Sequence, residues 1–148
     1  MKKIRLLLVI SALLSSAAHA EKLSAYFAYS VFSQPSGSPY IETYLSVSGR
    51  SVQFAPNGNE KLQGKIEVKW ILKKDSQVVA VDKYNLLSPE ISDATAPRPD
   101  FIDQQRITAG NGNYMLELMI SDRNSTEQSV SIKQPISIKF DKEIDRKS

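Results

Sequence analysis

The chain has 148 residues with no cysteine and a single histidine, and it carries 19 basic against 16 acidic side chains. The absence of cysteine excludes disulfides, thiol catalysis and cysteine-ligated metal sites, so the fold must be held by its apolar core. A formal charge of +3 would suggest an anionic partner if the folded domain carried it.

Residues 1–20 have the pattern of a secretory signal peptide. Basic residues among the first five precede an apolar run that ends at Ala18-His19-Ala20, an A-x-A cleavage site. The run is shorter than the roughly 20 residues that a membrane-spanning helix needs, so no integral membrane segment is predicted. We expect an exported protein, periplasmic or at the cell surface, whose mature chain begins at residue 21.

Cleavage changes what the charge implies. Three of the 19 basic residues leave with the signal, so the remaining 16 balance the 16 acidic residues and the mature chain is formally neutral. His19, the only histidine, leaves as well. The mature chain then lacks the commonest general base, the thiol nucleophile and the usual zinc ligands. We therefore predict no enzyme activity, no cofactor, no metal and no nucleic-acid partner.

The first part of the mature chain predicts short strands separated by turns. Residues 23–32 are rich in aromatic and apolar side chains and indicate a strand, and the turn formers of 33–39 end it. Tyr40–Val47 alternates apolar and polar residues, as a strand does. A short apolar stretch around residues 52–54 precedes a strong turn signal at 56–59.

The segment 65–73 carries the clearest strand signal. Four of its apolar residues, Ile66, Val68, Trp70 and Leu72, fall on one face, and its charged residues fall on the other. Trp70 is the only tryptophan. A buried Trp on a central strand fills the gap between the sheets of immunoglobulin-like sandwiches, so we expect Trp70 in the core.

Residues 74–77 suit a tight hairpin, and 78–86 form its predicted return strand. Residues 87–100 contain three prolines and predict a long crossing loop, because proline cannot donate to a central ladder. A weaker strand is predicted at 101–107.

The last predicted strands are 114–120 and 130–140, with a glycine-containing turn at 109–113 before the first of them. Tyr114 follows this turn directly, so it either forms the tyrosine corner of Ig-like domains or is simply a core aromatic. Pro135 suggests that its strand lies at a sheet edge or contains a bulge.

Seven or eight short strands with turn signals between them and no helical period indicate an all-β fold. We predict an Ig-like or fibronectin-III-like β-sandwich of antiparallel strands over residues 21–140. Residues 141–148 form a charged C-terminal tail or the start of a linker.

Three segments resemble a known family: Tyr40-Ile-Glu-Thr-Tyr-Leu-Ser-Val, Gly64-Lys-Ile-Glu-Val-Lys-Trp, and Gly112-Asn-Tyr-Met-Leu-Glu-Leu with Asp122 after it. Together with the signal, they are similar to the N-terminal β-sandwich region of secreted Bacteroidetes proteins named for a Gly-Trp-x-Thr-Asp (GWxTD) motif. The motif itself is absent here. The resemblance implies the sandwich fold and brings no catalytic residue with it.

Carboxylates are the remaining acid/base groups, and a glycosidase would need two of them facing each other across a sugar. Glu42, Glu67 and Glu117 occupy outward strand positions, which is typical of a solvated sheet surface. The loop aspartates do not have the spacing of a calcium loop and suit turns.

Apolar residues at outward positions give the first candidate site. If Trp70 and Tyr114 face inward, then Ile71, Met115 and Met119 face outward, and neighbouring strands would join them into one interaction patch. Alternatively, a loop or the N-terminal segment of the chain covers these residues.

A second candidate site is a ligand face formed by Tyr26, Tyr40 and Tyr44 on the other sheet. Exposed tyrosines at a spacing of two stack on sugars or pack on proteins, although tyrosine is also simply a good strand residue.

The leading hypothesis is an exported non-catalytic interaction or structural module of the bacterial envelope or cell surface. It would present its sheet faces to a protein partner or an adjoining domain. The alternative is a ligand-binding module that uses the tyrosines or the 87–100 loop for glycan binding or protease inhibition.

Overall fold

The computed structural model describes residues 22–35, 37–126 and 129–141, so the predicted signal peptide and residues 142–148 of the predicted tail lie outside the described residues. The described chain forms eight strands and one 3-10 turn at Gly49–Ser51. The strands are β1 (Ala25–Phe32), β2 (Tyr40–Val47), β3 (Phe54–Pro56), β4 (Leu62–Lys74), β5 (Gln77–Leu87), β6 (Phe101–Thr108), β7 (Gly112–Asp122) and β8 (Ser129–Ile138).

The strands form two antiparallel sheets. The smaller sheet has the order β1-β2-β6. In the five-stranded sheet β4 pairs with β7, which pairs with β8, while β5 and the short β3 also pair with β4. The predicted all-β sandwich is therefore confirmed. No helix in the described part of the chain has the length and apolar character to cross a membrane.

The core lies between the sheets and is built on β4 and β7. Ile66, Val68 and Leu72 are fully buried on the inner side of β4, as their alternation predicts. Trp70 faces the same way, opposite Leu118, and packs against both clusters of buried side chains. Trp70 therefore lies in the inter-sheet core as predicted, although its side chain is half-buried and not fully enclosed.

The partial exposure of Trp70 follows from its neighbour on β5. The residue opposite it on that edge strand is Asp82, whose charged side chain cannot close an apolar core. An inward charge on an edge strand discourages unwanted strand pairing.

Tyr114 forms a tyrosine corner. Its ring is buried, and its hydroxyl donates a hydrogen bond of 2.8 Å to the carbonyl oxygen of Gly110, four residues upstream. The bond ties the turn between β6 and β7 to the start of β7. Of the two interpretations of Tyr114 from the sequence, the corner is confirmed.

The remaining turn predictions also hold. Asp75 and Ser76 connect β4 to β5 with φ values of 50° and 65°, as a tight two-residue hairpin requires. Pro135 lies on β8, which is an edge strand of its sheet. The loop after β5 is fastened to β4, because Ile91 and Leu62 exchange backbone hydrogen bonds of 2.9 and 3.0 Å.

We predict that Tyr114→Phe lowers the free energy of unfolding by about 1 kcal/mol, because the phenol loses its hydrogen bond while the ring stays packed. Urea denaturation of both proteins measures the difference. Tyr29→Phe is the matched control, since the Tyr29 hydroxyl reaches the carbonyl oxygen of Pro135 only at 3.5 Å on an exposed edge. An equal loss in both variants would contradict a special role for the corner.

Candidate interaction surfaces

The outward side chains of β4, β5, β7 and β8 form one surface, which we call the large-sheet face. The register between β4 and β7 places Ile71 opposite Glu117, and Glu117 lies between Met115 and Met119 along β7. Met115 is 36% exposed and Met119 is 44% exposed, whereas Ile71 is half-buried. The structure thus brings the three residues of the predicted patch onto one face.

The described part of the N-terminal segment does not cover this face. Leu23 is buried in the core with residues of both sheets. The carbonyl oxygen of Ser24 accepts a hydrogen bond of 3.0 Å from the backbone N–H of Ser48, next to the smaller sheet. This segment therefore runs beside the smaller sheet.

The apolar surface continues onto β5, where the sequence analysis selected no residue. Val81 lies opposite Ile71, Val78 lies opposite Lys73, and both valines are more than half exposed. A β-bulge beside Leu72 sets this register at the end of the hairpin. The sequence of the return strand alternates, which was the available signal. Alternation alone does not show which of its residues face outward, because that also requires the hairpin register.

Each of the two carboxylates on the large-sheet face has two cationic side chains within 4 Å. The pairs are Glu117 with Lys73 at 2.9 Å and Lys133 at 3.9 Å, and Glu67 with Lys83 at 3.4 Å and Arg123 at 3.8 Å. The hydrogen bond from Lys73 holds the pKa of Glu117 below its ordinary value. Ion pairs this exposed add little stability, so their main effect is to fix charged groups among the apolar ones.

A surface depression of about 390 Å³ lies where this face meets the turn between β4 and β5. Turn residues Asp75 and Ser76 line it together with Met115 and Glu117 from β7. The depression is therefore a continuation of the large-sheet face and is not treated as a second site.

The outward side chains of β1, β2 and β6 form the opposite surface, the small-sheet face. It holds Tyr26, Tyr40 and Tyr44, the three residues of the predicted ligand face. Tyr26 is 72% exposed, whereas Tyr40 and Tyr44 are half-buried. The three tyrosines share a face but differ in how much of each ring a ligand can reach.

The ring of Tyr40 is engaged by both neighbouring strands. Phe32 of β1 stacks on it with 5.4 Å between ring centroids, and the guanidinium carbon of Arg106 on β6 lies 5.2 Å from its centroid. Sugar stacking needs an open aromatic face. Tyr26 is therefore the one predicted tyrosine that is well exposed.

Glu42 lies on the small-sheet face but is only 6% exposed, so the prediction of a solvated glutamate is wrong here. The Tyr44 hydroxyl donates a hydrogen bond to one carboxylate oxygen, and Arg106 Nε donates one of 2.7 Å to the other. These groups cover the carboxylate. The hydrogen bond from Tyr44, followed by that from Arg106, lowers the pKa of Glu42 below its ordinary value of 4.5.

The described residues contain no cluster of three or more His, Cys, Asp or Glu side chains that could hold a metal ion. The buried carboxylate of Asp122 has a structural role, because it accepts backbone hydrogen bonds from Gln53 at 2.7 Å and Asn124 at 2.9 Å. This is the turn chemistry predicted for the loop aspartates.

Comparison with known proteins found neither a matching family model nor a matching curated protein. The resemblance to GWxTD-motif proteins therefore stays a prediction. The interpretation of the two faces depends on their geometry.

The Glu42 cluster predicts a specific dependence of stability on pH. Because folding lowers the pKa of Glu42 below 4.5, its ionised form stabilises the fold above pH 4.5, and this contribution is lost as the pH falls through the folded-state pKa. Glu42→Gln should lower stability at neutral pH and make the loss below pH 4.5 less steep. Thermal melting across this range measures both effects. Glu60→Gln, at an exposed turn position, is the control, and an identical slope in wild type and Glu42→Gln would refute the role of Glu42.

Proposed function

We propose that the mature chain is an exported non-catalytic interaction module that binds a protein partner or an adjoining domain through its large-sheet face. The observation that carries this proposal is a group of apolar side chains on three adjacent strands. Val78, Val81, Met115 and Met119 are exposed, and Ile71 is half-buried among them. An antiparallel sheet with one face in water normally alternates polar residues on that face. Several exposed apolar side chains gathered on one sheet face are typical of a binding surface.

The side chains suit protein contact. Methionine is flexible and polarisable, so Met115 and Met119 adapt to an irregular apolar partner. The ion pairs around Glu117 hold charged groups between them, which gives the surface both apolar contact and polar orientation. No covalent chemistry is needed for this role.

Export and location depend on the sequence. The signal-peptide pattern of residues 1–20 supports export, and the resemblance to secreted Bacteroidetes proteins supports the envelope or the cell surface. The proposed location is accordingly periplasmic or extracellular.

The small-sheet face supports the glycan-binding alternative less well. Phe32 and Arg106 engage the ring of Tyr40, and the hydroxyl of Tyr44 is committed to Glu42. Of the three predicted tyrosines, only Tyr26 is then available for sugar stacking. The 87–100 loop is fastened to β4 at Ile91, which also disfavours its use as a protruding inhibitory loop.

We predict that Met115→Gln combined with Met119→Gln reduces recovery of a bound protein from envelope extract about tenfold, since both contacts lose apolar area without a change of charge. The melting temperature should change by only a few degrees, because both side chains are exposed. Affinity capture and thermal melting are the measurements.

The matched control is Ile102→Gln, which removes an apolar side chain that is 70% exposed on the small-sheet face. This variant should retain the partner. Equal recovery by the methionine variant and wild type, or loss of the partner in the Ile102 variant alone, would contradict the assignment of the large-sheet face.

A further inference from the structure

The large-sheet face is basic although the mature chain is formally neutral. Strand register, together with the Arg123 ion pair, places six cationic groups and two carboxylates on it. These groups are Lys65, Lys69, Lys73, Lys83, Arg123 and Lys133, with Glu67 and Glu117. With Asp75, which lines the depression at the edge of the face, six cations stand against three carboxylates. The face thus has a surplus of three positive charges, and the rest of the formally neutral mature chain has an equal negative surplus.

The positive charges are close to the apolar groups. Lys69 lies on β4 between Lys83 of β5 and Met119 of β7. Lys69 makes no ion pair with any described residue, and Glu67 and Glu117 are each already shared between two cations. The internal pairs therefore leave positive charge beside the patch unneutralised.

From this arrangement we infer that the large-sheet face binds an acidic protein segment that also carries apolar side chains. The inference rests on the proposed function and names the chemistry of the partner. Carboxylates on the segment would meet the lysines, and its apolar side chains would cover Ile71, Met115 and Met119. Opposite charges across an interface select the partner and speed its association.

A second copy of the chain is a poorer occupant of this face. In a twofold-symmetric dimer the same patch lies on both subunits. Two basic faces would then meet, and like charges that face each other across an interface oppose association. The charge distribution favours a different molecule.

A membrane surface is also a poorer occupant. Membrane-binding surfaces that combine basic and apolar residues use tryptophan, phenylalanine or leucine to enter the lipid. Beside Lys69 the exposed apolar side chains are valine and methionine, and Ile71 is half-buried. Leu87 is exposed opposite Lys65, at the end of β5. Glu67 and Glu117 would also be pressed against anionic lipid headgroups.

Selection of random dodecapeptides displayed on phage against immobilised residues 21–148 tests the inference. Enriched peptides should combine net negative charge with large apolar residues. Their synthetic forms should bind about tenfold more weakly when salt is raised from about 0.05 M to about 0.5 M. Binding should also weaken at least about tenfold in the Met115→Gln, Met119→Gln variant.

Reversing the charge of lysines on the large-sheet face tests the need for acidic peptides more directly. Lys69→Glu with Lys83→Glu should abolish binding of the acidic peptides and favour basic ones, whereas Arg50→Glu, at an exposed residue of the 3-10 turn, should change neither. Because Lys83 pairs with Glu67, Lys69→Gln serves as a milder variant, which should weaken binding without disturbing the fold.

Failure of the inference is distinguishable from failure of the proposed function. If the selection enriches neutral or basic peptides that bind the methionine variant weakly, the acidic partner is wrong. The large-sheet face would still be the binding site. Peptides that bind the methionine variant as tightly as the wild-type protein would overturn both the acidic partner and the large-sheet face as the binding site. Three further results would contradict an acidic segment as the occupant. Lysine-dependent binding to phosphatidylglycerol vesicles would indicate a membrane surface, and dimerisation that is lost in the methionine variant would indicate a second copy of the chain. Peptide binding only after truncation at Asp141 would indicate the C-terminal tail.

Discussion

The antiparallel pairing of β4 with β7 is the constraint on which both the core and the candidate surface depend. The register runs without a shift from Ile66 opposite Asp122 to Lys74 opposite Tyr114. Because strand side chains alternate, the pairing that buries inner residues also fixes which outer residues become neighbours. A slip of one residue would expose the core side chains and bury charged ones, so the surface cannot change its register independently of the core.

Side-chain hydrogen bonds hold both ends of β7. Tyr114 ties the start of β7 to its preceding turn through Gly110. At the other end, Asp122 accepts the backbone N–H of Gln53, while the Asn124 side chain donates to the carbonyl oxygen of Gln53 at 2.9 Å. Exposed groups held on a strand pair of this kind are preorganised, which lowers the entropic cost of binding.

Strands that bury only one face were the features that could be predicted from the sequence. Tyr40–Val47 was predicted with its observed bounds, and the inner residues of β4 and β7 were identified, because each strand has one apolar face. The same alternation placed Ile71, Met115 and Met119 outward. The tyrosine corner was one of two interpretations, since a phenol after a turn suits a core position equally well.

Features that depend on distant partners were not predictable in the same way. Glu42 is covered by Arg106, which is 64 residues away, and the local pattern of β2 gives no sign of that contact. Val78 and Val81 joined the patch only once the hairpin register was fixed. The positive surplus of the large-sheet face likewise arises from strands that are separated in sequence, whereas the composition of the mature chain is neutral.

The central claim is that the large-sheet face is where the domain binds other molecules. Met115 and Met119 are the methionines of residues 21–148, so their methyl groups report on this face alone. The most direct measurement is methyl NMR of that protein, labelled at methionine and isoleucine, during titration with an acidic peptide from the selection. We expect both methionine signals to shift while the methyl signal of Ile102 on the small-sheet face stays in place. A shift of the Ile102 signal with both methionine signals unchanged would contradict it.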